Sequence, residues 1–195
     1  MLGDSFSTPF DHMGDFRENY VKWKGYTPKF WGVILAEELN LDLTTYGSIG
    51  DNEDILDKII DIIDTLKPDD ILCIGWTSLL RFRLVKNDKW WCVFPNMIPD
   101  TKIISTQTVE EIVVNREHKL YKEALYNRIK LINKALPDNL IINWSWEDRH
   151  QFPFQTIHDE TTGEINDHHW SEKGNQQFAK WLVDKINVNE NVTLI

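Results

Sequence analysis

Asp70-Ile71-Leu72-Cys73-Ile74-Gly75-Trp76 is the stretch whose reading decides the fold. Ile71 to Ile74 is an unbroken apolar run, without the polar alternation of a strand that has one wet face. Such a run reads as a strand covered on both faces, as strands of parallel sheets packed between helices are. Another buried strand reads over Leu140–Trp144, after the turn Pro137-Asp138-Asn139.

Outward from these two strands, helical patterns alternate with strand patterns. Ile55, Leu56, Ile59, Ile60, Ile62, Ile63 and Leu66 form a wide apolar stripe that Pro68 and Asp69-Asp70 end, and Asp51 stands where it can cap that helix. Thr27 and Pro28 read as N-cap and first residue of an earlier helix carrying Trp31, Ile34, Leu35 and Leu39. Leu41–Tyr46 reads as a strand, followed by the loop Gly47-Ser48-Ile49-Gly50-Asp51-Asn52. Residues 6–26 read as a long loop and 77–106 as an irregular insertion. Residues 109–136 read as helical, with Leu125, Ile129, Ile132 and Leu136 on one face. The last helix follows Ser171, with Phe178, Trp181, Leu182 and Ile186 inward, after a polar, His-rich loop over 147–170. The pattern predicts a single α/β domain over 1–195, a three-layer α/β/α sandwich with a flavodoxin-like, mainly parallel sheet of four or five strands.

Composition narrows the function classes. The 195 residues carry 31 acidic and 21 basic side chains, a net charge of −10, which lacks the basic footprint of a nucleic-acid binder. No apolar stretch has the length of a membrane span and no signal-peptide pattern is visible, so the expected location is cytoplasmic. Cys73 and Cys92 read as reduced or inert thiols rather than a disulfide framework. His118 and His150 read as surface residues.

Parallel α/β sheets build their sites at the carboxyl ends of the strands. Ser5, in Gly3-Asp4-Ser5, follows the first apolar residues of the chain; the loop 47–52, the segment after Trp76 and the loop holding His169 follow later strands. A serine hydroxyl becomes a nucleophile when a histidine takes its proton and an acid orients that histidine. Near the end of the chain, Asn166-Asp167-His168-His169-Trp170-Ser171 supplies both. Ser5, Asp167 and one of His168 and His169 are thus the candidate catalytic set, with no cofactor or metal required. His158, Asp159, Asp167, His168 and His169 are close enough in sequence to form a rival metal site, but no HExxH or Cys pair accompanies them.

These blocks resemble the SGNH (GDSL-type) hydrolases, a family of flavodoxin-like esterases, lipases, thioesterases and carbohydrate deacetylases. Gly3-Asp4-Ser5-Phe6-Ser7 matches the nucleophile block, Gly50-Asp51-Asn52 the second block, and Gly75-Trp76-Thr77-Ser78 the third. Asp167-His168-His169-Trp170-Ser171-Glu172-Lys173-Gly174 matches the last block in a register that selects His169 over His168. The resemblance implies an oxyanion hole from the backbone N–H groups of Ser5 and Gly50. Its third donor is an asparagine in the family's third block; Thr77 stands there in this chain, and Asn52 is the alternative donor. The acid is Asp167, two residues before the histidine rather than the usual three, where Asn166 stands. The first strand should be short. With Arg81 following, the third block resembles a phage-encoded branch of the family, which would make the protein virion-associated. Trp76, His168 and Trp170 are candidate substrate contacts. Trp90, Trp91, Trp144, Trp146, Phe152 and Trp170 could include platforms for a sugar ring, pointing to a small-molecule or glycan ester as substrate. Two other classes fit the fold: a glycan-binding module with a weakened oxyanion site, and a small-molecule binder using 47–52 as an anion loop.

Overall fold

A computed structural model describes residues 1–3, 5–10, 15–47, 50–86, 88–93, 105, 107–108, 111, 118–145, 153–187 and 192–194. Asp4, Ser48, Ile49, Trp146, His150 and Phe152, and the side chains of Trp90, Trp91 and His118, lie outside the described residues.

In chain order the elements are β1 (Leu2–Gly3), α1 (Asp15–Lys24), α2 (Trp31–Leu39), β2 (Tyr46–Gly47), α3 (Asn52–Ile62), β3 (Ile71–Trp76), β4 (Phe82–Lys86), β5 (Lys89–Val93), α4 (His118–Ala135), β6 (Leu140–Ser145), α5 (Ile157–Glu160), α6 (Glu172–Asn187) and β7 (Val192–Leu194). The main sheet has the order β2-β1-β3-β6-β7, and every pairing in it is parallel. This is the flavodoxin-like order, whose direction reverses between β1 and β3.

The two apolar runs explain the layers. Along β3, Leu72, Ile74 and Trp76 join a core with Ile55, Ile59 and Ile62 of α3 and Leu125, Ile129 and Ile132 of α4. Cys73, with Ile142 and Trp144 of β6, faces the other way, into a core with Tyr20, Trp31, Leu35, Phe178 and Leu182 from α1, α2 and α6. Alternate residues thus point to opposite faces, and both faces are covered, so neither strand needs a polar side.

Several expectations are corrected. Residues 6–26 are not a loop: a 3-10 turn spans Ser5–Ser7 and α1 follows. The second helix starts at Trp31, not Pro28, and its N-cap Phe30 makes no side-chain capping bond. The Trp31 N–H is instead satisfied from outside the helix, by Asn175 Oδ1 of α6 at 3.0 Å. Of the strand read over 41–46, only Tyr46 pairs: β2 is Tyr46–Gly47, in register with Leu2 and Gly3. The segment read as an irregular insertion contains an antiparallel hairpin, β4–β5, whose turn places Asp88 at φ +56. The sequence signal was Asn87-Asp88 between two runs of strand-forming residues. Of the loop over 147–170, residues 157–160 form α5, opened by a capping box between Thr156 and Asp159.

Candidate active site

Ser5 begins the 3-10 turn at the carboxyl end of β1. That turn sits hard against the sheet because two glycines make room for it. A Cβ on Gly3 would lie 2.3 Å from Ser7 Oγ, and one on Gly75 would lie 2.2 Å from it. Gly3 also adopts φ +147, a conformation L side chains rarely take.

Asp167 and His169 come from the stretch between α5 and α6, which is fixed at several points. The N–H of Ile157 donates to His169 O and that of His158 to Asp167 O, both at 2.8 Å, and Thr156 and Trp170 form an antiparallel bridge. Trp170 drives into the aromatic core, with ring centroids 4.2 Å from Phe178 and 5.3 Å from Trp144. Ser171 then caps α6, its Oγ accepting from Gly174 N at 3.1 Å. The histidine is held between a buried tryptophan and a paired acid.

His169 Nε2 lies 2.7 Å from Ser5 Oγ, and His169 Nδ1 lies 2.5 Å from Asp167 Oδ1. Asp167 Oδ1 also accepts from the His169 backbone N–H at 2.9 Å, so a spacing of two residues lets one oxygen hold both the ring and its backbone. Phe6 packs on the imidazole, with ring centroids 4.5 Å apart. Burial acts to raise the Asp167 carboxyl, but the bond and charge of His169, with the charge of Arg17, outweigh it and hold the group below its usual range. Asp167 is therefore the ionised partner of the ring.

The remaining site residues divide. Gly50 is half-buried and directly precedes Asp51, whose carboxylate accepts from Asp54 N and so caps α3. Burial raises the Asp51 carboxyl despite its 2.9 Å contact with Arg83 Nε from the hairpin. Asn52 and Thr77 join the two loops: Asn52 Oδ1 accepts from Thr77 N at 2.8 Å, and Asn52 Nδ2 donates to Thr77 O at 3.0 Å. Both residues are buried, and the Thr77 hydroxyl has no hydrogen-bond partner among the described residues.

Trp76 and Trp170 are not substrate contacts. Trp76 is fully buried, its Nε1 donating to Asn143 Oδ1, and Trp170 is 5% exposed within the aromatic core. Trp144, also fully buried, is likewise removed from the sugar-platform set. His168 is exposed and stacks on His158, with centroids 4.9 Å apart, rather than facing Ser5.

Among the described residues, no three His, Cys, Asp or Glu side chains cluster as a metal site, and no helix is long and apolar enough to cross a membrane. Cys73 and Cys92 are free thiols that burial pushes up to about 11, away from nucleophilic use. A cavity of about 490 Å³ opens at the opposite, amino-terminal edge of the sheet, lined by residues such as Leu39, Leu43, Leu66, Ile71 and Cys73. It shares no residue with the Ser5–His169–Asp167 set, and the chemistry, not the volume, marks the candidate site.

Sequence reading missed Arg17. Its guanidinium is buried and donates to Ser5 O at 2.7 Å and to Thr8 O at 3.0 Å. Nothing local marks it, because the turn that it holds lies 12 residues earlier. Neither a protein-family model, nor a curated protein, nor a solved structure matches the chain.

Proposed function

We propose that the protein is a serine hydrolase of the SGNH (GDSL-type) kind that cleaves a carboxylic ester through an acyl-enzyme. One observation carries the reading: an unbroken hydrogen-bonded line from Ser5 Oγ through both nitrogens of the His169 ring to Asp167. Ser5 Oγ attacks the ester carbonyl while His169 Nε2 takes its proton, and Asp167 holds the other ring nitrogen as the donor. The tetrahedral intermediate collapses as His169 returns that proton to the departing alcohol. Water then attacks the acyl carbon while His169 takes its proton; the bond to Ser5 Oγ breaks as His169 passes that proton to Ser5, which frees the acid. The N–H groups of Ser5 and Gly50 are the candidate oxyanion donors, with the Thr77 hydroxyl or the Asn52 amide as the third.

The test is labelling with a fluorophosphonate probe, mapping of the modified residue, and turnover of p-nitrophenyl acetate with Ser5→Ala as control. Modification of Ser5 and loss of both signals in Ser5→Ala are expected. Labelling elsewhere, or none, would overturn the reading.

A second reading, a glycan-binding module without turnover, is favoured by one feature. The family's third-block asparagine is replaced by a threonine whose backbone is already engaged by Asn52. It predicts glycan binding by a chain that the probe does not label. Carbohydrate O-deacetylation is the narrower form of the hydrolase reading. An acetylated-glycan panel assayed for released acetate separates it from action on a small ester.

A further inference from the structure

Ser5 sits on a turn too short to hold itself. A single 3-10 turn has few internal bonds of its own, and the strand before it has two residues. Its carbonyls are held from outside. Arg17 of α1 grips Ser5 O and Thr8 O through its two terminal nitrogens, and Trp31 Nε1 of α2 donates to Phe6 O at 2.8 Å. Arg17 is 2% exposed, and its guanidinium carbon lies 4.6 Å from the centre of the Phe10 ring.

Burying a guanidinium is costly unless its donors are matched. Here the matching acceptors include the carbonyl of the nucleophile itself. The planar fork spans the turn from its first residue to just beyond its last, a two-point hold that the single ammonium of a lysine does not reproduce.

The same helix grips the other half of the triad. Tyr20 OH donates to the Glu160 carboxylate and accepts from Glu172 N. Lys24 Nζ reaches Glu160 Oε1 at 2.7 Å and Glu172 Oε2 at 3.2 Å. Glu160 and Glu172 bracket the segment that carries Asp167 and His169. So α1 bridges the nucleophile turn and the acid–histidine segment, two parts of the site 164 residues apart in sequence. The Arg17 charge also helps to hold the Asp167 carboxyl low, after the bond and charge of His169.

We propose that Arg17 is a positioning residue for ester hydrolysis: its fork holds the Ser5 turn at hydrogen-bond distance from His169. This inference rests on the serine-hydrolase reading.

The test compares the full chain with Arg17→Lys and Arg17→Gln. The readouts are the rate of fluorophosphonate labelling, kcat and KM on p-nitrophenyl acetate across pH, and thermal unfolding as the control for folding. Both substitutions should slow labelling and lower kcat by about 10²-fold, the usual penalty for misplacing a reacting atom, with KM little changed. In Arg17→Gln the acid limb of the rate profile should move to higher pH, because the cation that helps to hold the Asp167 carboxyl ionised is gone. Arg17→Lys should keep the limb in place. A role confined to folding predicts no such split between the two. Wild-type labelling rates in a folded Arg17→Lys overturn the proposal while leaving the hydrolase reading intact, and that variant decides alone if Arg17→Gln does not fold. A wild-type chain that is never labelled at Ser5 overturns both.

Discussion

Thr77→Val tests the part of the site where this chain departs most from the family it resembles. Thr77 is 1% exposed, its backbone is bonded both ways to Asn52, and its hydroxyl has no partner among the described residues. A buried hydroxyl left without a partner costs about 1–3 kcal/mol in desolvation. Valine has nearly the same shape and no such cost, so the substitution should stabilise the fold by about 1–2 kcal/mol. In a chain of this length each kcal/mol moves Tm by about 2–4 °C, and a rise of about 2–8 °C is expected. A residue that is costly to the fold invites a functional reason. If the hydroxyl is the third oxyanion donor, removing it should slow turnover about 10²–10³-fold, or about 2.7–4 kcal/mol of lost transition-state stabilisation. The expected signature is a more stable, slower protein, measured by circular-dichroism melting and initial rates on an acetyl ester. A lower Tm would mean that the hydroxyl has a partner and that the stability argument is wrong. A higher Tm with unchanged turnover would strike Thr77 from the oxyanion site and leave the Asn52 amide. Asn52→Ala is the counterpart: it leaves the buried Thr77 N–H and C=O both unpaired, for a loss of about 2–5 kcal/mol.

Three further outcomes follow from the geometry. The Asp167 carboxyl is held below its usual range in the folded state, so its contribution to stability is fully present above the unfolded value near ~4. That contribution is lost as pH falls through the depressed folded value; urea unfolding of wild type and Asp167→Asn should therefore differ at pH 7 and begin to converge as pH falls below about 4, and a gap that stays constant would refute the ionised assignment. At pH 7 the same variant should lose about 10⁴-fold in kcat, since an amide does not stabilise the imidazolium. Tyr20→Phe removes a buried hydroxyl that serves both Glu160 and the Glu172 N–H, and should cost about 1–3 kcal/mol. Thermal melting reads this directly, and a Tm equal to wild type would mean that the α1 network is not holding the segment.

The sequence by itself determined the architecture, because burial on both faces leaves a mark in composition. Ile71–Ile74 and Leu140–Trp144 lack polar alternation, and the stripes ending at Leu66 and beginning near Phe178 have helical spacing. It also named the residues that meet at the site. A serine, an acid and a histidine able to meet at one sheet edge are few, and the register of the block that resembles the family's last one points to His169 over His168. Tertiary structure decided what depends on a distant partner. Among the described residues β2 pairs with β1 only at Tyr46 and Gly47, and α2 starts at Trp31, whose N–H is received by Asn175 of α6. Arg17 and Tyr20 look like ordinary helix residues until the elements they grip are in place. The tryptophans show the limit most plainly. Trp76, Trp144 and Trp170 are alike in sequence, but strand alternation sends Trp76 toward α3 and α4 and Trp144 toward α6, where Trp170 closes the same core behind His169. A large aromatic ring serves packing and binding equally well, and only the face that it occupies separates the two.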